Sequence, residues 1–297
     1  MLITEKMDKL LAPSSVEFIL FSKMNPTMSM LGMFDKQDLH GDKHFAFATD
    51  RTTAEDDILN GILHEPVEME EASQLPQIEI SGIQEESGHT TKLGFEMQFS
   101  EEAVSDNKNY SNVQRTLERA GYVMQRTLNR YAYQVLISNA QAPTGYTTNP
   151  DSWTDPDNEE IDNNVKTMQR AFGNQEGYDY NMTNMYVSKE SLWGAEDYYD
   201  ATRVNGFDPN NVRGMSLQGI QELDSGLLGI DANLKPAMWY YNVHPEDNTW
   251  NDQFGSFINV NRVEQNDEIP RGLKIQMYVE FGFAVLEPRA VLFQEGI

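Results

Sequence analysis

The chain has 297 residues, a formal net charge of -25 and no cysteine. A chain of this length can bury a substantial core as one large or two modest domains. The lack of cysteine excludes disulfides, thiolate metal sites and a cysteine nucleophile. The strong negative charge disfavours tight binding to phosphate backbones, and it fits either simple solubility or a high-salt host. The start, MLITEKMDKL, lacks the apolar core of a signal peptide, and no run of ~20 apolar residues predicts a membrane span, so we expect a soluble protein made in a cytoplasm.

Residues 1–40 differ in composition from the rest of the chain. They contain a cluster of four methionines: Met24, Met28, Met30 and Met33. Methionine packs acceptably in varied surroundings, so the cluster fits either ordinary core filler or an arm that contacts slightly different neighbours. We expect this stretch to form an arm that packs mainly on other copies of the chain.

Residues 41–100 combine strand-like ends with an acidic middle. Aromatic and apolar residues alternate with small or polar ones near both ends, at Phe45 and Phe47 and at Phe95, Met97 and Phe99. The middle, with AEDDILNGILHEP and EMEEASQLP, is rich in carboxylates and poor in core-forming residues. This pattern predicts a long two-stranded excursion, which cannot bury enough surface alone and needs a partner.

The clearest helix prediction covers residues 111–139. Ser111 and Gln114 have the spacing of a capping box at its start. Seven apolar residues fall on one stripe: Val113, Leu117, Ala120, Met124, Leu128, Tyr131 and Val135. Four arginines fall within about 60° on nearly the opposite face: Arg115, Arg119, Arg126 and Arg130. We expect Met124 and Leu128 to be buried and Arg126 to lie outside the core, whereas the arginine face is either simply solvated or a contact surface.

The second half of the chain predicts a mixed lobe and then two closing strands. After Pro143 the sequence is rich in loop-forming residues, with short elements predicted as helices at 165–172 and 190–199 and strands at 185–187 and 237–241. Apolar residues then alternate from Ile275 to Val285 with the period of a strand, and AVLF at 290–293 predicts another. The fold class is α+β.

No pattern in the sequence predicts catalysis. His40 and His44 have the i, i+4 spacing of helical metal ligands, but Gly41 and the strand-like continuation argue against a helix there. The segment DPDNE at 155–159 begins like a calcium loop and then departs from it, with Glu160 where glycine is needed. No phosphate-binding glycine loop or G-x-S-x-G elbow is present. We therefore predict no enzyme, no metal and no cofactor.

The order of these elements resembles the major capsid proteins of tailed double-stranded DNA viruses. In VEMEEASQLPQIEI and KLGFEMQFSEEAV, the resemblance is carried by Leu75-Pro76, Lys92-Leu93-Gly94 and Ser100-Glu101-Glu102, followed by the long helix. The ending, LKIQMYVEFGFAVLEPRAVLFQ, is similar to that family's closing pair of strands. The resemblance implies the Hong Kong 97-type shell fold, with an N-terminal arm, an extended β-hairpin loop, a peripheral domain with a long spine helix, and an axial domain.

The resemblance also implies a domain plan. It assigns residues 1–40 to the arm, 41–100 to the extended loop and its flanking strands, 101–145 plus 255–297 to the peripheral domain, and 146–254 to the axial domain. Some family members join subunits through a lysine of the extended loop. Lys92 is the nearest candidate here, but the sequence shows no matching context for the asparagine or the assisting glutamate of that isopeptide bond. We therefore do not predict the bond.

The resemblance implies a structural protein that assembles with itself, in pentamers and hexamers, into an icosahedral shell around double-stranded DNA. Two alternatives remain at this stage, an encapsulin-type cellular compartment and an acidic hydrolase or binding module. We expect no membrane contact, only non-specific contact with DNA, portal, scaffold and decoration proteins as further candidate partners, and a place in the virion after assembly in the host cytoplasm. The candidate contact residues are the four arginines, Lys92, and three acids of the loop: Glu68, Glu70 and Glu71.

Overall fold

A computed structural model describes residues 9–24, 33–50, 83–100, 110–140, 161–174, 180–202, 211–221, 223–264 and 272–295. The helices are α1 (Pro13–Met24), α2 (Tyr110–Asn139), α3 (Ile161–Gly173) and α4 (Lys189–Thr202), with a single helical turn at Asn251–Phe254. The strands are β1 (Phe34–Asp38), β2 (His44–Asp50), β3 (Ile83–His89), β4 (Thr91–Ser100), β5 (Asn184–Ser188), β6 (Leu217–Ile220), β7 (Leu227–Ile230), β8 (Ala237–Asn242), β9 (Asn259–Glu264), β10 (Gly272–Val285) and β11 (Val291–Gln294). Within these ranges, no helix is long and apolar enough to cross a membrane.

The chain divides into two compact units. Unit 1 comprises Met1–Phe45, Ser87–Ala132 and Met238–Ala284. Unit 2 comprises Ala46–Glu86, Tyr133–Ala237 and Val285–Ile297.

The core of unit 1 is built on β10. The sheet order is β1-β8-β10-β4, and β9 also pairs with β10. The predicted alternation is confirmed in the first half of β10, where Ile275 and Met277 are buried and Lys274 and Gln276 are partly exposed. It ends at Tyr278, because from there both faces of the strand are covered. On β8, Trp239 is fully buried and its ring lies edge-on against Phe257, with centroids 4.7 Å apart.

Phe45 fixes the start of β2 to unit 1. Its ring stacks on Tyr240 with centroids 4.1 Å apart. Two glycines leave room for it, since a Cβ on Gly88 or on Gly282 would lie 2.4 Å from the ring. The phenylalanine that alternation assigned to a half-buried strand is therefore an anchor of this sheet.

The rest of β2 pairs with β3 in a separate two-stranded sheet. Its side chains are largely exposed, including Ala46 and Ala48 on β2 and Glu85 and Ser87 on β3. The strand-like start of the predicted excursion is thus present, whereas its acidic middle, residues 51–82, lies outside the described residues.

Helix α1 packs on its own chain, so the prediction that residues 1–40 contact mainly other copies is wrong for this segment. Val16, Leu20 and Met24 are fully buried, and α1 packs against β9 of the same unit. Glu17 is also buried, and its carboxylate accepts hydrogen bonds from the backbone N–H groups of Thr249, at 2.8 Å, and Trp250, at 3.1 Å. Because α1 is apolar on nearly all sides, its sequence lacks the periodic pattern that would have predicted a helix.

Unit 2 contains the sheet β11-β7-β5-β6. β5 runs parallel to β6 and antiparallel to β7, and β11 runs antiparallel to β7. Helix α3 contributes Met168 and Phe172 to its core, where Gly229 of β7 allows close packing. The helices predicted at 165–172 and 190–199 and the strands predicted at 185–187, 237–241 and 290–293 are confirmed with small shifts of their ends.

Candidate contact surfaces

Helix α2 presents the four predicted arginines to solvent. It is a single helix, Tyr110–Asn139, as predicted, and Met124 and Leu128 are fully buried. Arg115, Arg119, Arg126 and Arg130 are all exposed, so the predicted position of Arg126 outside the core is confirmed.

Two details of the helix prediction are wrong. The helix includes Ser111, and the side chain of Gln114 donates to Glu118 at 3.3 Å instead of capping the first turn. At the other end, the buried residues are Ala132, Tyr133 and Leu136, whereas the predicted Tyr131 is 42% exposed. Tyr133 is buried there, and its ring meets that of Tyr186 with centroids 6.2 Å apart.

The arginine face also carries two exposed apolar residues that the sequence analysis missed. Tyr122 is 51% exposed and Val123 is 52% exposed. Counted at 100° per residue, these two residues and the four arginines lie within about 100° of the helix circumference. Their positions on the helix can be counted from the sequence, but the prediction assigned only the apolar stripe on the opposite face to contacts between apolar residues. We call these six residues the α2 contact face.

The α2 contact face has no carboxylate partner among the described residues, since none forms an ion pair with any of its four arginines. The nearest acid on the helix, Glu118, is instead 3.9 Å from Lys23 of α1. Four exposed guanidinium groups around an exposed tyrosine are typical of protein interfaces, where Arg and Tyr are enriched. The loop acids expected opposite them, Glu68, Glu70 and Glu71, lie outside the described residues.

Lys92 lies on β4, at the edge of the unit 1 sheet. Its amine is 3.4 Å from the centroid of the Tyr278 ring, a cation–π contact across neighbouring strands. The Tyr278 hydroxyl donates to Asp247 at 2.7 Å, and burial together with this carboxylate raises the pKa of Tyr278. Lys92 therefore rests on an aromatic ring in a network of its own chain.

The same network explains the buried carboxylate on β10. Glu280 is opposite Lys92 in the strand register, and its Oε2 is 2.8 Å from His244 Nε2. His244 and Tyr278 pack with ring centroids 6.0 Å apart. A buried acid with a close hydrogen-bond partner is an ordinary structural pair.

Glu96 on β4 has an exposed carboxylate that is surrounded by hydrogen-bond donors. Glu96 accepts from the Lys274 amine at 2.7 Å, and from the amides of Gln276, at 3.1 Å, and Gln98, at 3.0 Å. These hydrogen bonds, chiefly the one from Lys274, lower the pKa of Glu96 to about 2. Glu96 is therefore ionised at any physiological pH.

The histidine pair does not form a metal site. His40 has a left-handed backbone, with φ of 51°, and its ring Nδ1 is 3.7 Å from Asp38 Oδ2, whereas His44 begins β2. No group of three metal-ligating side chains occurs in the described ranges. The calcium-like segment at 155–159 lies outside them.

Comparison with known proteins gives one family match. A family model described as phage capsid protein matches residues 84–292. A search of curated proteins finds no match.

Among solved structures, the capsid of a native GTA particle has a TM-score of 0.59 at 10% identity, over 91% of this chain and 90% of that one. The capsid of the cyanophage P-SCSP1u has a TM-score of 0.54 at 9% identity, over 89% and 86%. The holo-SrpI encapsulin complex from Synechococcus elongatus PCC 7942 has a TM-score of 0.54 at 8% identity, over 91% and 87%.

Proposed function

Because the chain belongs to the phage capsid protein family, it is a structural shell protein, and we propose that many copies of it form the icosahedral head of a tailed double-stranded DNA virus. Its fold is the Hong Kong 97-type shell fold, as the sequence resemblance implied. The match over residues 84–292 is the observation that carries the proposal. A shell protein is a component of the virion, and we further propose that assembly takes place in the host cytoplasm.

The proposed assembly depends on contacts between identical subunits. We assign the α2 contact face to such a contact, in which Glu68, Glu70 and Glu71 of a neighbouring subunit approach the arginines. Arg presents a planar fork that suits carboxylates, and each exposed pair contributes only ~0–1 kcal/mol. Repetition at every subunit, with Tyr122 and Val123 supplying apolar area, favours closure of the shell.

The proposed subunit follows the domain plan of the family. We assign residues 41–100 to the extended loop and its flanking strands, 101–145 plus 255–297 to the peripheral domain and 146–254 to the axial domain, and we propose that the subunits form pentamers and hexamers. Two strands depart from this plan, since β8 lies in the unit 1 sheet beside β10 and β11 lies in the unit 2 sheet beside β7. The arm assignment of residues 1–40 does not hold for α1 and β1, which pack within unit 1. The role is structural, and it needs no catalytic residue or cofactor.

The net charge of -25 supports only non-specific contact with the packaged DNA, because a negative inner surface repels phosphates. Portal, scaffold and decoration proteins are proposed as further partners in the virion. A cellular compartment is the second candidate function, favoured by the likeness to the encapsulin complex. The family assignment leaves an acidic hydrolase or binding module without support.

Electron microscopy of the purified chain tests the proposal. We expect closed icosahedral particles under assembly conditions, and particles from the natural source should contain double-stranded DNA. Particles filled with protein cargo would favour the compartment. A chain that stays a small monodisperse species across salt and concentration, with no particles at the source, would contradict both.

A further inference from the structure

Strand β4 ends the unit 1 sheet with an open edge. β10 pairs with it along all ten residues, and no strand in the described ranges pairs with its other edge. Its apolar residues Leu93, Met97 and Phe99 are only half-buried, and Phe95 is 37% exposed. A long edge strand with an uncovered apolar row is a template for another strand.

The sequence of β4 is complementary to itself. From Lys92 to Glu96 it has a cation, an apolar residue, Gly94, an apolar residue and an anion. Antiparallel pairing of two copies about Gly94 places Lys92 opposite Glu96 and Leu93 opposite Phe95, and the two-fold axis repeats both pairs.

We propose that β4 of one subunit pairs antiparallel with β4 of a second copy about a two-fold axis at Gly94, joining two unit 1 sheets. The proposal rests on the shell function, which brings many copies together. It differs from the α2 contact face, because a two-fold contact is the same patch on both subunits and closes a pair.

The side chains are already placed for this pairing. Lys92 and Glu96 lie on one face of β4, and Leu93 and Phe95 lie on the other, because successive residues of a strand alternate. Both charged residues are exposed, and Glu96 is held ionised by its donors. Directly opposite residues have Cβ atoms about 4.5–5.5 Å apart, within reach of an ion pair on one face and an apolar contact on the other.

The charges select one register. A shift of two residues in either direction leaves Lys92 opposite Gln98 or Gly94 and removes both ion pairs. A shift by one residue moves the apolar row to the charged face. Charged residues on an edge strand usually prevent pairing. Here the two signs lie at equal distances from Gly94, so they oppose other pairings and favour this one.

Engineered cysteines test the register, because the natural chain has no cysteine. Leu93→Cys and Phe95→Cys chains are prepared separately, mixed in equal amounts during assembly and oxidised mildly. Residues opposite each other have Cα atoms about 4.5–5.5 Å apart, whereas the 93–93 and 95–95 pairs lie beyond the reach of a disulfide, which is roughly 7 Å. We expect the mixed 93–95 disulfide to exceed each homodisulfide at least tenfold, against about twofold for random collision.

Charge exchange supplies the matched control. Lys92→Glu and Glu96→Lys, each added to both cysteine chains, place like charges opposite each other, and we expect each to lower the mixed disulfide several-fold. Combining the two restores opposite charges, so the yield should partly recover. Full recovery is not expected, because Lys274 and Glu280 of the same chain favour the natural arrangement.

The outcomes separate this proposal from the shell function. Normal particles with a random disulfide ratio would overturn the β4 pairing and leave the shell function intact. If the unmodified chain forms no particles, the shell function fails, and the disulfide ratio is then measured on the concentrated soluble chain. A random ratio there overturns the pairing as well.

Discussion

Strands β5 and β4 differ in their positions within their sheets, because β5 is an interior strand and β4 is an edge strand. β5 lies between β6 and β7, and Met185 to Ser188 are all buried. Among the described strands, only β10 pairs with β4, along one edge, and each β4 residue from Thr91 to Phe99 is exposed or half-exposed. A single chain therefore supplies both neighbouring strands of β5, whereas we expect a second copy of the chain to supply the second neighbour of β4.

Polar groups follow the same division. Several of those in unit 2 pair internally: the hydroxyls of Ser188 and Ser191 are 2.7 Å apart, and Asp231 accepts from the backbone N–H groups of Asn181 and Asn233. On α2, by contrast, the guanidinium groups of the contact face point to solvent with no described carboxylate beside them. In a chain with an excess of acids, an exposed face with four cations and no carboxylate partner among the described residues is a candidate contact surface for carboxylates.

The largest effect on subunit stability is expected in the core of unit 2, the unit that contains β5. Phe172→Ala empties a fully enclosed site in the unit 2 core. The free energy of unfolding of the unassembled chain should fall by about 3–5 kcal/mol. Denaturant titration followed by circular dichroism measures it.

Phe95→Ala is the matched control on β4. It removes the same side chain from a site where 37% of the residue is exposed, so the free energy of unfolding of the unassembled chain should fall by about 1–2 kcal/mol, less than for Phe172→Ala. An equal loss of unfolding free energy in the two variants would contradict the contrast between the buried core of unit 2 and the exposed strand β4.

A smaller effect is expected at Glu17, the one acid of α1 buried in unit 1. Burial raises the pKa of Glu17, against the hydrogen bonds from Thr249, Trp250 and Ser256. As pH falls toward the ordinary glutamate value of about 4.3, the folded chain takes up this proton before the unfolded chain does, so Glu17 becomes more favourable to folding.

Glu17→Gln removes this titration. The unfolding free energy of the natural chain minus that of the variant should increase as the pH is lowered from 7 to 4.5, because the pKa of Glu17 is raised in the folded chain. Paired denaturant titrations across this range measure the difference. A difference that stays constant with pH would show that Glu17 does not titrate as described.

The smallest effect on the subunit is expected on the α2 contact face. Tyr122→Ala should change unfolding of the unassembled chain by no more than ~0.5 kcal/mol, because the side chain is half-exposed. If the face is a subunit contact, particle yield should fall several-fold in the same preparation, as measured by sedimentation. Ser138→Ala, at an exposed position of the same helix outside the contact face, should leave the yield unchanged.

Helix α2 shows what could be predicted from sequence. Its spacing of apolar residues predicted the helix, the burial of Met124 and Leu128 and the exposure of the arginines, because periodicity reports a face that packs locally. The spacing could not predict that the buried face turns toward Tyr133 and Leu136, since that depends on residues such as Tyr186 that are far away in sequence.

Helix α1 and Lys92 show the limits of pattern. PSSVEFILFSKM has too little periodicity to predict a helix, and Pro13 at its start was the one local signal. Lys92 was chosen by family resemblance. Its contact with Tyr278 arises from the β4–β10 register, which the sequence does not specify.

Charge reversal on α2 tests the central claim, that exposed elements of one subunit contact other subunits. Arg119→Glu combined with Arg126→Glu should give chains with unchanged circular dichroism that form no particles in electron micrographs. Reversing Glu68, Glu70 and Glu71 to Lys in that variant should partly restore particles. Normal particles from the arginine double variant alone would contradict the account.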